Sequence, residues 1–288
     1  MASTVIWNKN DYVQRLRTRI ATPTVWDEVL MVKYSNDRTV VGAYMSTQSA
    51  VQTGTRETAY TYQPFALTAD TLTIDQYKVL PMFVDEADRY QQSYVNQMSI
   101  ADYQGKKINE YIEGQFLAQY ASGTDFGVTD LSGGADDDTT AITVSTSNVD
   151  DIIRAVKRKI YANNGVDFAT ERGIYIVWRA ADFEMLEAFV QANGFNLADM
   201  ALKSGIPVQK AFHYMGVDHY LSNSHTATYL LAGIKKSAEI GILRGTYGKA
   251  KFIEDPGNIS GLGIVSRVDY GFNFPAQLSE FTITINVK

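Results

Sequence analysis

The chain has no cysteine among its 288 residues. That excludes disulfides, thiolate metal sites and a cysteine nucleophile, and it fits synthesis in a reducing cytosol. It also lacks any run of about 18 apolar residues, the length a membrane helix requires. The N-terminal MASTVIWNKND has no signal-peptide core, so a soluble, unsecreted chain with no membrane partner is expected. Positive charge is in the minority: 26 Lys and Arg stand against 32 Asp and Glu, a formal charge of -6. A sequence-reading nucleic-acid binder would usually be basic, whereas a protein that only encloses DNA needs no basic face.

What is present is ordinary globular material, 45% hydrophobic and 20% charged, which argues against long disorder and allows a sizeable core. Aromatics reach 12%, with 18 Tyr. Tyr has an apolar ring and a polar tip and is enriched at protein interfaces, though aromatic-rich strands explain the excess equally well.

The stretch from Thr68 to Ser93 organises the rest. Thr71, Thr73 and Asp75 alternate with Leu72 and Ile74, the period of a half-buried strand, and Val79, Leu80, Met82, Phe83 and Val84 read as a more buried continuation. A helix is expected to begin near Asp85, with Asp85, Glu86 and Asp88 complementing its dipole. Upstream, Val13, Leu16 and Ile20 have helical spacing in a segment made locally basic by Lys9, Arg15, Arg17 and Arg19. VLMVKYS and TVVGAYM read as strands. A long polar run from Gln48 to Thr58 then suggests a projecting two-stranded loop, which is marginal alone and best explained by docking on a neighbouring chain.

Downstream, Ser99 is expected to cap a long helix with Ala101, Gly105, Ile108, Ile112, Phe116 and Tyr120 inward and Lys106, Lys107, Glu110 and Glu113 outward, ending at Ser122-Gly123. Thr124 to Asp138 reads as an acidic loop. Asn148 caps a helix that buries Val149, Ile152, Ile153, Val156 and Ile160, followed by a strand at Gly173 to Trp178 and a helix at Ala181 to Ala192. Asn196 is expected to cap a short turn or helix through Leu202. Strands near 208–213, 216–221 and 228–234, a hairpin around Asp255 to Asn258 and a final strand from Phe281 to Val287 complete the chain.

No residue set supports catalysis or metal binding. His213, His219 and His225 are six residues apart, about 20 Å per step along an extended strand, and lack the glutamate base of a metalloenzyme motif. Asp85, Glu86 and Asp88 are explained by a helix start rather than a glycosidase pair. The Thr124–Asp138 loop lacks the ligand alternation of a calcium loop. Gly257, Gly261 and Gly263 match no phosphate loop, and Ser222 and Ser224 lack a nucleophile elbow.

The order TLTIDQ, apolar strand, VDEAD and QQS before a long helix, together with HYMGVDHYLSNS and VDYGFNFP, resembles the major capsid proteins of tailed bacteriophages with the HK97-type coat fold. The resemblance covers nearly the whole chain, in element order more than in identities. It implies an α+β, HK97-like coat fold: N-terminal arm 1–28, E-loop and flanking strands 29–70, peripheral domain 71–138 with a spine helix at about 99–121, axial domain 139–243 with a small sheet flanked by helices, and peripheral return strands 244–288. The implied function is self-assembly into pentamers and hexamers of an icosahedral head enclosing double-stranded DNA, with no catalysis and no cofactor. Subunit contacts are expected at Arg15, Arg17, Arg19, Gln52, Arg56, Glu57, Tyr60 and Tyr62. With the chain read from Met1, a separate scaffolding protein and a portal are the implied partners, with DNA touched only non-specifically. The implied location is the virion, assembled in the host bacterial cytoplasm. Two alternatives are an encapsulin-like nanocompartment shell and, from another class, a carbohydrate-binding or carbohydrate-active protein using its tyrosines as stacking platforms.

Overall fold

A computed structural model describes residues 9–20, 24–45, 67–86, 94–119, 123–133, 138–192, 210–222, 224–225, 228–275 and 278–288. The tip of the expected E-loop, Asp88 and the Asn196–Leu202 turn lie outside these residues. Helices α1 (Lys9–Ile20) and α2 (Val25–Val29) precede strands β1 (Met31–Ser35), β2 (Thr39–Met45), β3 (Leu67–Thr73) and β4 (Gln76–Asp85). Next come helix α3 (Tyr94–Leu117), strand β5 (Thr124–Phe126) and helices α4 (Val128–Leu131), α5 (Val149–Ala162) and α6 (Val166–Arg172). Strand β6 (Ile174–Trp178), helix α7 (Ala180–Ala192) and strands β7 (Lys210–Tyr214), β8 (Val217–Leu221), β9 (Tyr229–Ile234), β10 (Glu239–Leu243), β11 (Lys249–Glu254), β12 (Gly261–Asn273) and β13 (Thr282–Asn286) follow.

The strands form a five-stranded sheet, a six-stranded sheet and the two-stranded β2–β3 pair. β12 is the axis of the first. Its thirteen residues are long enough for β11 and then β10 to pair along one side while β4 runs antiparallel along the other, from Gly261 opposite Asp85 to Tyr270 opposite Gln76. Leu262, Ile264, Val268 and Tyr270 point from one face of β12 into a core shared with α1, α2 and α3, where Tyr12, Leu16, Trp26, Ile112 and Phe116 are fully buried. The helical stripe of α1 is therefore Tyr12, Leu16 and Ile20, with Val13 only partly covered.

The second sheet has the order β5-β13-β9-β6-β8-β7. Every residue of β6 is buried because the sheet lies between two cores. Ile174, Ile176 and Trp178 face α5 and α7, while Tyr175 and Val177 face the first core. The expected buried face of α5 is observed residue for residue, with Asn164 in the left-handed conformation after its end.

Several expectations are corrected. α3 starts at Tyr94, so Ser99 is interior to the helix rather than its cap; the residues before it, Val95 to Met98, simply extend the helix. Asp85 closes β4 opposite Gly261, and the helix expected near it opens at the next residue, Glu86. Val79 and Phe83 are exposed, since β4 is an edge strand with one covered face. Glu113, expected outside, is buried and accepts a hydrogen bond from Ser222. The Thr124–Asp138 segment is ordered into β5 and α4 by its acids: Asp130 accepts from the Gly127 amide, and Asp138 accepts from the Thr129 and Thr140 amides, which hold its carboxyl well below the usual range. Helix α6 and strand β10 were not anticipated; β10 lies in the sheet of β12. Strand β13, expected to return to the sheet of β12, instead pairs β9 and β5 in the other sheet.

Hydrogen bonds accompany the apolar contact between the two sheets. Tyr220 donates to Glu28 at 2.8 Å, and Tyr229 donates to the Leu117 carbonyl at 2.8 Å at the end of α3. Two buried histidines lie nearby. His219 accepts the Trp178 indole hydrogen at Nδ1, and His225 finds no partner for either ring nitrogen among the described residues. Burial lowers both from the ordinary 6.5 to about 4. The neutral forms are thus favoured in the fold, and stability is complete above pH 6.5 and lost as pH falls towards 4. Each histidine withdraws roughly 1.4 kcal/mol per pH unit across that window. His225→Phe is expected to flatten the fall of the urea midpoint between these limits; a variant with the unchanged slope would contradict the assignment.

Candidate assembly surface

The β2–β3 pair is seated on the outer face of the five-stranded sheet. Gly241 and Gly271 face each other across β10 and β12. A Cβ at Gly271 would run into the Thr73 carbonyl, its carbon only 2.9 Å away, and one at Gly241 would stand 2.9 Å from Leu72 Cδ2. The two glycines therefore leave a shallow trough into which the end of β3 drops, burying Leu72 and Ile74. Asn273 donates to Asp70 at 2.9 Å, and the Ile74 amide donates to the Arg38 carbonyl at 2.7 Å. The face of the hairpin turned away from this seat is open. Val41 is 67% exposed and Leu67 59%. A two-stranded ribbon with little core of its own is marginal in water unless something covers it.

The same outer face carries an apolar stripe along β4. Tyr77, Val79 and Phe83 are each about half exposed, and the Arg267 guanidinium lies 4.2 Å over the Tyr77 ring. On the inner side, Leu80, Ile108, Tyr111 and Val268 line a groove of about 420 Å³ between β4 and α3, rimmed by Lys78 and Lys107.

Of the expected contact residues, three are described. Arg15 pairs with Asp102 of α3 through two hydrogen bonds of 2.8 Å, Arg17 donates to the Gly248 carbonyl at 3.2 Å, and Arg19 packs against Gly105. All three are exposed; Arg15 and Arg19 lie on the side of α1 next to α3, and Arg17 lies on the side next to the turn after β10. Gln52, Arg56, Glu57, Tyr60 and Tyr62 lie outside the described residues. Sequence reasoning missed the Gly241–Gly271 seat. The only signal was two glycines, Gly241 and Gly271, inside strands β10 and β12.

The histidines are dispersed in role. His213 is exposed and contacts Asp218 at 2.8 Å, while His219 and His225 are buried. Among the described residues no group of three His, Asp or Glu is placed to hold a metal ion, and no helix is long and apolar enough to cross a membrane.

No family model and no curated protein matches the sequence. Solved structures match over almost all of it. The capsid of the cyanophage P-SCSP1u is similar at 13% identity over 92% of this chain and 88% of that one, with a TM-score of 0.58. The mature capsid of bacteriophage PhiM1 is similar at 10% identity over 93% and 88%, with a TM-score of 0.60. The chain shares the mixed α+β fold of these structures, consistent with an HK97-like coat fold. A virus-like particle from Pyrococcus furiosus shares it at 7% identity over 98% of this chain and 100% of that one, with a TM-score of 0.59. Identities this low leave no residue-level correspondence, so within the coat fold the exposed hairpin and the apolar stripe are candidate contacts on their own geometry.

Proposed function

We propose that the chain is the subunit of a self-assembling protein shell, the major capsid protein of a tailed-phage head built of pentamers and hexamers around double-stranded DNA. The observation that carries this reading is the end-to-end likeness to coat subunits, 92 to 98% of this chain in the three structures above. The open hairpin supports it, because an exposed ribbon on a rigid seat is suited to lie over an adjacent copy. In this reading α3 is the spine helix, residues 46–66 with β2 and β3 are the E-loop, and Gln52, Arg56, Glu57, Tyr60 and Tyr62 meet a neighbour. Arg15, Arg17 and Arg19 belong to the arm. The domain boundaries are those implied by the sequence, except that β5 and β13 belong to the six-stranded sheet of the axial strands. The role is structural, not enzymatic, and the location is the virion after assembly in the bacterial cytoplasm. A separate scaffolding protein and a portal complete the assembly.

Mechanistically, heterologous contacts close rings and many modest interfaces then act together, so shells are stable although single pairs are weak. A second reading, a nanocompartment of the encapsulin type, is favoured by the match to the virus-like particle across the whole of that chain. Light scattering on the purified protein tests the shell reading: large uniform particles or discrete rings are expected, and a monomer under all conditions contradicts it. Co-purified nucleic acid points to the capsid, and a co-purified enzyme to the nanocompartment.

A further inference from the structure

We propose that the cleft between α1, β1 and the turn joining β10 to β11 binds a phosphate-bearing ligand of nucleotide type. The inference stands on the cleft alone and does not depend on shell assembly. The cleft has a volume of about 410 Å³, in the range of small-ligand sites. Three cations reach it from two directions: Arg17 from α1, and Arg244 and Lys249 from the turn. All three are exposed, and among the described residues none has a carboxylate partner. Elsewhere cations such as Arg15, Lys33, Arg154 and Arg267 are paired with acids. On a chain with formal charge -6, three unbalanced cations in one concave place make a local positive field.

The geometry around them is fixed. Arg17 spends its Nε on the Gly248 carbonyl at 3.2 Å, which leaves the Nη groups of its fork for a ligand. Gly248 has φ 66°, and a Cβ there would stand 2.9 Å from Arg17 Cγ, so glycine both makes the turn and lets the arginine lie across it. Tyr34 and Tyr247 stand with ring centroids 5.9 Å apart. Tyr34 is 45% exposed, a flat surface on which a base can stack. Trp26 also lines the cleft, and its buried indole N–H has no acceptor among the described residues.

One carboxyl shares the lining. Burial and the neighbouring Glu28 raise Asp27, and its charge in turn helps burial to raise Tyr34 and Tyr247. Among the described residues no ion pair joins Asp27 to Arg17, Arg244 or Lys249. The arrangement joins donors for a phosphate to a ring for a base.

Titration calorimetry on the full chain tests this with two probes, thymidine monophosphate and an oligothymidylate of about ten nucleotides. Saturable binding is expected, weakened about tenfold by Arg244→Gln or Lys249→Gln, as for loss of a charge-assisted hydrogen bond. Lys106→Gln, on the exposed side of α3, should leave it unchanged, and melting temperatures should show all variants folded. Saturation by the mononucleotide identifies a free nucleotide as the ligand; saturation by the oligonucleotide alone identifies a nucleic-acid strand. Absence of saturable binding to both probes, or equal weakening by Lys106→Gln, overturns the inference. Shells that form normally while binding is absent would overturn it and leave the shell reading intact.

Discussion

Gly271→Ala is expected to destabilise the chain by about 3 kcal/mol or more, at the upper end of overpacking costs. The added methyl would meet the Thr73 backbone, and backbone held between β3 and β4 cannot move aside as a side-chain end can. Either β3 lifts out of its trough, exposing Leu72 and Ile74, or β12 distorts where it pairs with both β10 and β4. The urea midpoint should fall, and limited proteolysis should cut between β2 and β3 before any other site. Gly114→Ala is the contrast. Nothing lies within 4 Å of a Cβ at this position in α3, so replacing a helical glycine should stabilise by about 0.5–1 kcal/mol. A wild-type midpoint for Gly271→Ala would show that the hairpin is not seated as described.

Deleting Ser49 to Glu57 is expected to leave a folded, soluble subunit that cannot form stable shells. The deleted residues are polar and lie beyond the last paired positions of β2 and β3, Met45 and Leu67. The expected loss is in assembly, because the ribbon would no longer reach a neighbour and the many weak contacts of a shell act together. Circular dichroism with an unchanged melting temperature and the disappearance of particles in light scattering would be the paired result. Normal shells from the deletion would refute docking through the loop.

Much of the fold was legible because it is written in local periodicity. The buried face of α5, the wholly apolar β6 and the alternation ending in Leu72 and Ile74 need no partner to be seen. What remained hidden depends on pairing between distant segments. β13 looks the same whichever sheet it joins, and only its register with β9 and β5 decides. Glu113 reads as a surface helix residue until Ser222, 109 positions later, meets it. Helix α6 follows so closely on the Asn164-Gly165 stop that its seven residues read as connection. The seat of the β2–β3 hairpin was hidden because it needs the pairing of Gly241 with Gly271. The basic segment, read as one flank, resolves into an arginine paired with α3, another packed on it and a third at a cleft.

Cryo-electron microscopy of the purified, full-length protein tests the central claim most directly. The account predicts closed shells whose subunits place the β2–β3 hairpin over an adjacent copy and keep α3 within the wall. Dispersed monomers, or particles in which the hairpin touches no neighbour, would contradict it.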